Sequence, residues 1–114
     1  MKTSGLKAKG RRLCQEVREL LLKYAPGLKP DDIRVTPSGC VGEDLLLSPA
    51  ARQLYPIIVE GKNQESLNIW AALRQAESHK KDPASFAAPV VFFRRNHSRI
   101  YVALGAEDFI KLVR

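Results

Sequence analysis

The residues best suited to chemistry are two acids and a lysine in the middle of the chain. Asp44 opens one apolar run, and a second apolar run ends in Glu60-Gly61-Lys62. Because successive side chains of a strand point to opposite faces, Glu60 and Lys62 are predicted to point the same way and Gly61 the other. If Asp44 lies on the neighbouring strand, two carboxylates and an ammonium group converge. These groups are the minimum set for metal-assisted cleavage of a phosphodiester.

Magnesium suits this set of ligands, with manganese as a substitute. It prefers oxygen ligands and keeps several waters, so one or two carboxylates and the phosphate oxygens of a substrate suffice. Asp44 and Glu60 supply the carboxylates, and the carbonyl of Gly61 is a candidate third ligand. Lys62 can orient the attacking water and offset charge that builds on the phosphate. Glu43 is a rival to Asp44, and a bare Glu-x-Lys is usually a surface ion pair.

The first half of the chain supplies one helix and three strands to position these groups. Apolar residues at three- and four-residue spacing predict a helix from about residue 8 to 24, with Glu16 at the margin of its apolar face, from where it can reach a buried site. Strands are predicted at 33–36, 44–47 and 54–60. A turn at 48–53 would make the last two strands an antiparallel pair.

The second half continues with a helix, two strands and a closing helix. The helix begins at residue 65 or 66, ends at Lys80 and carries apolar residues on two sides, so it is predicted to be largely buried. Since it crosses from the Glu60 strand to the Val90 strand, the three elements would make a βαβ unit, which is normally right-handed. The predicted fold class is α/β, with a mixed central sheet flanked by helices in the order αβββαββα.

Size and composition favour one intracellular domain over residues 1–114. The chain is large enough to bury a core, and its two cysteines are too few for a disulfide framework or a thiolate zinc site. No apolar run approaches the roughly 20 residues of a membrane span. The N-terminus is basic without an apolar stretch behind it, so it does not read as a secretory signal. No membrane partner and no small-molecule cofactor is expected.

Basic residues flank the acidic centre. The formal net charge is +7, and residues 1–9 are expected to form a flexible basic arm. Such a distribution suits the binding of a polyanion, whose backbone would contact the basic residues around the acidic centre. Basic surfaces also simply aid solubility. The residues predicted to hold the phosphate backbone are Lys7, Lys9, Arg11, Arg12, Arg34, Lys80, Lys81, Arg94, Arg95 and Arg99.

In their order along the chain, these features resemble the PD-(D/E)xK nuclease superfamily. Glu16 lies in a first helix, Asp44 ends a loop, and Glu60-Gly61-Lys62 ends a strand that a long helix follows. The stretch 34–39 is similar to the loop of archaeal-type Holliday junction resolvases. Gln75, four residues before His79, is similar to the Gln-x-x-x-Tyr of RecB-type nucleases. The resemblance covers roughly residues 10 to 102, with no proline directly before Asp44 and a histidine in place of the tyrosine.

The resemblance implies a restriction-endonuclease-like core and a magnesium-dependent DNA endonuclease. Asp44 and Glu60 would bind the metal, and Glu16 would help directly or through water. Ser38 matches a serine that assists cleavage in the resolvases. Gln75 would face the catalytic strands, unless it is an ordinary exposed glutamine. His79 belongs to no ligand spacing and is expected to be structural or to contact nucleic acid.

Branched DNA is the substrate that this resemblance favours, with a homodimer supplying two active sites for paired nicks. The setting would be the cytoplasm of a prokaryotic cell or of a phage-infected host. Two alternatives stay open: a general phage-type nuclease on single-stranded or duplex DNA, and a non-catalytic nucleic-acid-binding domain that kept the fold. Nothing in the chain distinguishes DNA from RNA.

Overall fold

A computed structural model of the chain describes residues 3–37 and 39–114, with side chains from residue 8 onward. These residues form four α-helices, one 3-10 turn and five strands. In chain order they are α1 (Thr3–Lys23), a 3-10 turn (Pro30–Asp32), β1 (Ile33–Val35), β2 (Leu45–Leu47), α2 (Pro49–Leu54), β3 (Ile57–Asn63), α3 (Ile69–Ser78), β4 (Ala88–Arg94), β5 (Tyr101–Leu104) and α4 (Ala106–Val113).

A three-stranded mixed sheet in the order β3-β4-β5 carries the predicted site. β3 and β4 run parallel, with Glu60 opposite Val91, and α3 connects them. β5 returns antiparallel beside β4. The predicted mixed sheet and the predicted strand–helix–strand unit, β3–α3–β4, are therefore confirmed.

The predicted pairing of the second and third strands is wrong. β2 pairs with β1 in a separate antiparallel sheet, and one backbone bond of 2.8 Å, from Asp44 N to Val59 O, links its beginning to β3. The expected turn at 48–53 is the helix α2, because Ser48 accepts a hydrogen bond from Ala51 N and a proline follows at the first helical position. The order of elements is αββαβαββα rather than αβββαββα.

Helix α1 begins earlier than its apolar pattern predicts. It includes residues 3–9, which the sequence suggested as a flexible arm, and it packs on the sheet through buried residues such as Leu13 and Val17. Among the residues that the structure describes, no helix is both long and apolar enough to cross a membrane.

The two faces of the sheet bury different side chains. Val59 and Val90 pack with α1 on one face, and Val91 packs with Ala72 and Ala76 of α3 on the other. The prediction that α3 is largely buried is wrong, because it contacts the sheet through alanines while Trp70 is 72% exposed. Helix α3 therefore packs through one of its faces on the strand that carries Glu60 and Lys62.

Candidate functional site

A cleft of about 370 Å³ lies between α1, the loop before β2 and the second half of β3. It collects residues that are far apart in the sequence. The predicted site residues that line it are Arg11, Asp44, Glu60, Gly61, Lys62 and Gln75. Gln75 lines the wall of the cleft and is also exposed to solvent. The sequence analysis offered a position facing the catalytic strands and ordinary exposure as alternatives, and Gln75 combines a place in the cleft with exposure.

Asp44 is held against β3 by two backbone contacts. Its Oδ2 accepts a hydrogen bond from Gly61 N at 2.8 Å, and its own N–H donates to Val59 O. The neighbouring acid Glu43 turns away and pairs with Arg52, with 3.0 Å between Oε1 and Nη2. Asp44, and not Glu43, therefore lines the cleft together with Glu60.

Glu60 is the one buried charged residue among the side chains described, with 3% exposure. Its Oε1 lies 3.0 Å from His79 Nε2, and its Oε2 lies 3.5 Å from Lys62 Nζ. Burial raises the pKa of Glu60, and the charge of Asp44 raises it further, while Lys62 and His79 act in the opposite direction. Glu60 is thus a desolvated carboxylate whose charge requires compensation.

Gly61 faces the opposite way, as the alternation of a strand predicts, and α1 packs directly on it. A Cβ at this position would lie 2.8 Å from Cys14 Sγ, so a glycine is required for the helix to approach. Burial, and then the charges of Asp44 and Glu60, raise the pKa of the Cys14 thiol to about 12. Cys14 is therefore a neutral packing residue and neither a thiolate ligand nor a nucleophile at neutral pH.

The structure does not bring Glu16 to the cleft. Its carboxylate pairs with the Arg94 guanidinium: Nη1 donates to Oε1 at 2.9 Å and Nη2 donates to Oε2. This hydrogen bonding lowers the pKa of Glu16. The Glu16 side chain is 48% exposed and does not line the cleft. Both residues, one predicted to bind metal and one to bind DNA, instead join α1 to β4.

Ser38 lies outside the described residues, as does the side chain of Lys7. The residues on either side of Ser38, Pro37 and Gly39, line the cleft. The predicted role of Ser38 therefore stays a prediction. Only its two neighbours are known to border the cleft.

The predicted basic residues divide between the cleft and other surfaces. Arg11 lines the cleft, and Lys9 lines an adjoining groove of about 550 Å³ that shares Gly61 and Lys62 with it. Lys80 and Lys81 line a different cavity, beside Ile58 and Phe86. Four others are exposed outside these cavities: Arg12, Arg34, Arg95 and Arg99, the last with its guanidinium over the Tyr101 ring.

The structure adds His79 to the site, because it contacts Glu60 from the end of α3, whereas the sequence predicted for it a structural role or a contact with nucleic acid. His79 caps this helix, and its N–H group bonds to carbonyls of the last turn. One signal was present: Gln75 and His79 are four residues apart and therefore share a helix face. That spacing places both on the side of α3 that reaches the Glu60 strand. It does not predict which residue the histidine contacts.

The donor set fits magnesium or manganese better than zinc. The described residues contain no group of three or more His, Cys, Asp or Glu that could hold a metal ion, and Cys14 is neutral. Two carboxylates remain, Asp44 and Glu60, and the charge of Asp44 raises the pKa of Glu60. A hard cation that keeps several waters needs no more protein ligands than these, whereas structural zinc needs four.

The comparisons with known proteins return no relative: no family model, no curated protein and no solved structure matches this chain. What the chain does must therefore be inferred from the cleft itself, since function depends on the groups in a site more than on the fold that carries them.

Proposed function

We propose that this protein is a metal-dependent nuclease of the PD-(D/E)xK type that hydrolyses phosphodiester bonds in DNA. The observation that carries the proposal is the buried Glu60, held beside Lys62 on β3 and next to Asp44 in an open cleft. A buried carboxylate, a second carboxylate and an ammonium group that line one cleft have an ordinary purpose if a cation and a phosphate enter between them.

The roles follow from the positions. Asp44 and Glu60 would hold magnesium or manganese, with the Gly61 carbonyl as a candidate third ligand; the bound ion would supply Lewis-acid polarisation of the phosphate. The Asp44 carboxylate is oriented by Gly61 N. The Lys62 ammonium, 3.5 Å from Glu60, would move toward the phosphate, orient the attacking water and offset the developing negative charge.

The rim of the cleft suits a nucleic-acid backbone. Two basic residues of α1 border the site: Arg11 lines the cleft, and Lys9 lines the adjoining groove. Contacts of this kind position a phosphate backbone without reading its sequence. Branched DNA cut by a homodimer, and a restriction-endonuclease-like core built on β3, α3 and β4, belong to the same proposal. An activity panel of junction, flap, single-stranded and duplex DNA, with RNA beside them, identifies the preferred substrate.

The decisive variants are D44N, E60Q and K62A. Each is expected to lower magnesium-dependent cleavage by at least about 100-fold, the scale of losing one group that stabilises a transition state. Cleavage of labelled DNA is measured, with circular dichroism as the check on folding. The matched control is E43Q, which removes the adjacent acid that pairs with Arg52 and should keep activity. Full activity in each of the three single variants, D44N, E60Q and K62A, would refute the proposal.

A second candidate function is nucleic-acid binding without catalysis. Its support is that both oxygens of Glu60 already contact protein groups, His79 and Lys62. It predicts salt-dependent binding with no requirement for a divalent ion and no product. Manganese titration by electron paramagnetic resonance separates the two candidates: a nuclease binds the ion in the wild type and loses it in D44N and E60Q.

A further inference from the structure

Helix α4 presents an apolar stripe to solvent. Ala106, Phe109, Ile110 and Val113 follow one another at intervals that place them on one helix face. Phe109, Ile110 and Val113 are 52%, 58% and 65% exposed. The helix packs on the core through its other side, where Leu112 joins the cluster beneath α1.

Three large apolar residues on one face of a helix form a patch rather than scattered exposure. Single exposed apolar side chains are ordinary, whereas a contiguous patch marks a contact surface.

Charges on α4 follow a pattern that identifies the partner. Glu107 lies in the first turn and Lys111 and Arg114 at the end, and all three fall on the same flank of the apolar stripe. No ion pair among the described residues involves them. When two identical helices pack antiparallel about a two-fold axis, the same flank of each faces the other. Glu107 then lies opposite Arg114 of the partner subunit.

We propose that α4 is the interface between two copies of this chain, packed antiparallel through Phe109, Ile110 and Val113. An acid at one end of a flank and bases at the other complement the same flank of a second, antiparallel copy, which is the reason to prefer that copy over an unrelated protein. The proposed nuclease calls for a homodimer without naming its surface; α4 supplies that surface, and the evidence for it, the apolar stripe and the charges of α4, stands without nuclease activity. A helix of eight residues covers less than the roughly 800 Å² per partner of a standard interface, so the dimer should dissociate on dilution.

The first experiment measures oligomeric state by sedimentation velocity over a range of protein concentrations. Wild type should shift from monomer to dimer as concentration rises, and I110D, at the centre of the stripe, should stay monomeric. The matched control is W70D, which places the same charge on an exposed apolar residue of another helix and should dimerise as wild type does. A wild type that is monomeric throughout, or an I110D that dimerises normally, overturns the proposal.

The second experiment exchanges charges and does not depend on the folding of I110D. E107R and R114E should each weaken the dimer by about tenfold at low salt, because attraction becomes repulsion at two symmetric contacts. The double variant E107R/R114E should recover the affinity, and a mixture of the two single variants should form a heterodimer tighter than either homodimer. Single variants that dimerise as wild type does, or a mixture without heterodimer, would overturn the antiparallel arrangement.

Discussion

At the scale of single residues, the site depends on how Glu60 tolerates burial. A desolvated carboxylate is costly unless hydrogen bonds and opposite charges compensate it. His79 compensates one oxygen and Lys62 the other. When Glu60 is ionised, as metal binding requires, its carboxylate only accepts hydrogen bonds, so in that state the imidazole donates and thereby orients Glu60. His79 is therefore a positioning residue for a proposed metal ligand.

H79A should lower metal-dependent cleavage by about 10- to 100-fold, the usual effect of removing a group that orients a metal ligand. H79Q should recover part of the loss, because its amide can donate to Glu60. The informative measurement is the magnesium concentration that gives half-maximal activity, which should rise in H79A.

The control for His79 is H97N, in the turn between β4 and β5. His97 has a φ of 63°, a conformation that asparagine also adopts, so the backbone there should be preserved. If H79A only lowers the melting temperature and leaves the magnesium dependence unchanged, His79 has a purely structural role.

At the scale of elements, the packing of α1 on β3 aligns the cleft. Gly61 and Cys14 touch where the helix crosses the strand, and Gly61 N also holds Asp44. A side chain at residue 61 would force Cys14, α1 or the strand itself to shift. The close approach of these two elements is thus part of the site and not only of the core.

G61A should lower the free energy of unfolding by about 1–3 kcal/mol, because the added methyl overlaps Cys14 Sγ. C14A frees that space, so the double variant G61A/C14A should be more stable than the sum of the two single losses predicts. Urea unfolding of the four proteins measures this coupling. Strictly additive losses would show that the steric contact does not limit the packing.

The ion pair of Glu16 with Arg94 connects α1 to β4, and its contribution should depend on pH. The pairing lowers the folded-state pKa of Glu16 below the ordinary value of 4.5, so its stabilisation is present above that value and disappears as pH falls through the folded pKa. E16Q should cost no more than about 1 kcal/mol at neutral pH, because the pair is half exposed.

Thermal unfolding across pH measures this difference between wild type and E16Q, with E19Q on the solvent side of the same helix as control. Cleavage is the second measurement. E16Q should keep its metal dependence, since the carboxylate is engaged by Arg94 away from the cleft. Loss of metal-dependent activity in a folded E16Q would restore Glu16 as a metal ligand.

At the scale of the whole molecule, a formal net charge of +7 surrounds a site that contains carboxylates. A positive field of this kind raises the local concentration of polyanions and makes association sensitive to salt. Only part of the charge borders the cleft, however: Lys9 and Arg11 lie there, whereas Lys80 and Lys81 line another cavity and Arg94 is paired.

K9A and R11A should each weaken DNA binding and reduce by about one the slope of log affinity against log salt. Fluorescence anisotropy at several salt concentrations measures the slope, with magnesium omitted to prevent cleavage. K23A, at the other end of α1, is the matched control and should leave the slope unchanged. Equal effects of all three variants would indicate binding through net charge rather than through the cleft.

The sequence alone determined the features that depend on neighbours along the chain. Helical spacing predicted α1 and α3, and strand alternation predicted that Glu60 and Lys62 share a face opposite Gly61. The parallel β3–β4 pair followed from the helix between them. These results share one physical reason: periodicity and short connections act within a single element or between adjacent ones.

Tertiary structure decided what depends on contacts between distant residues. Only the folded chain pairs β2 with β1, sets Glu16 against Arg94 and places His79 on Glu60. Glu16 sat at the right margin of its helix for a buried site, but its periodicity could not show that an arginine 78 residues away would engage it. Local pattern states which face a side chain occupies, and packing alone determines what lies opposite that face.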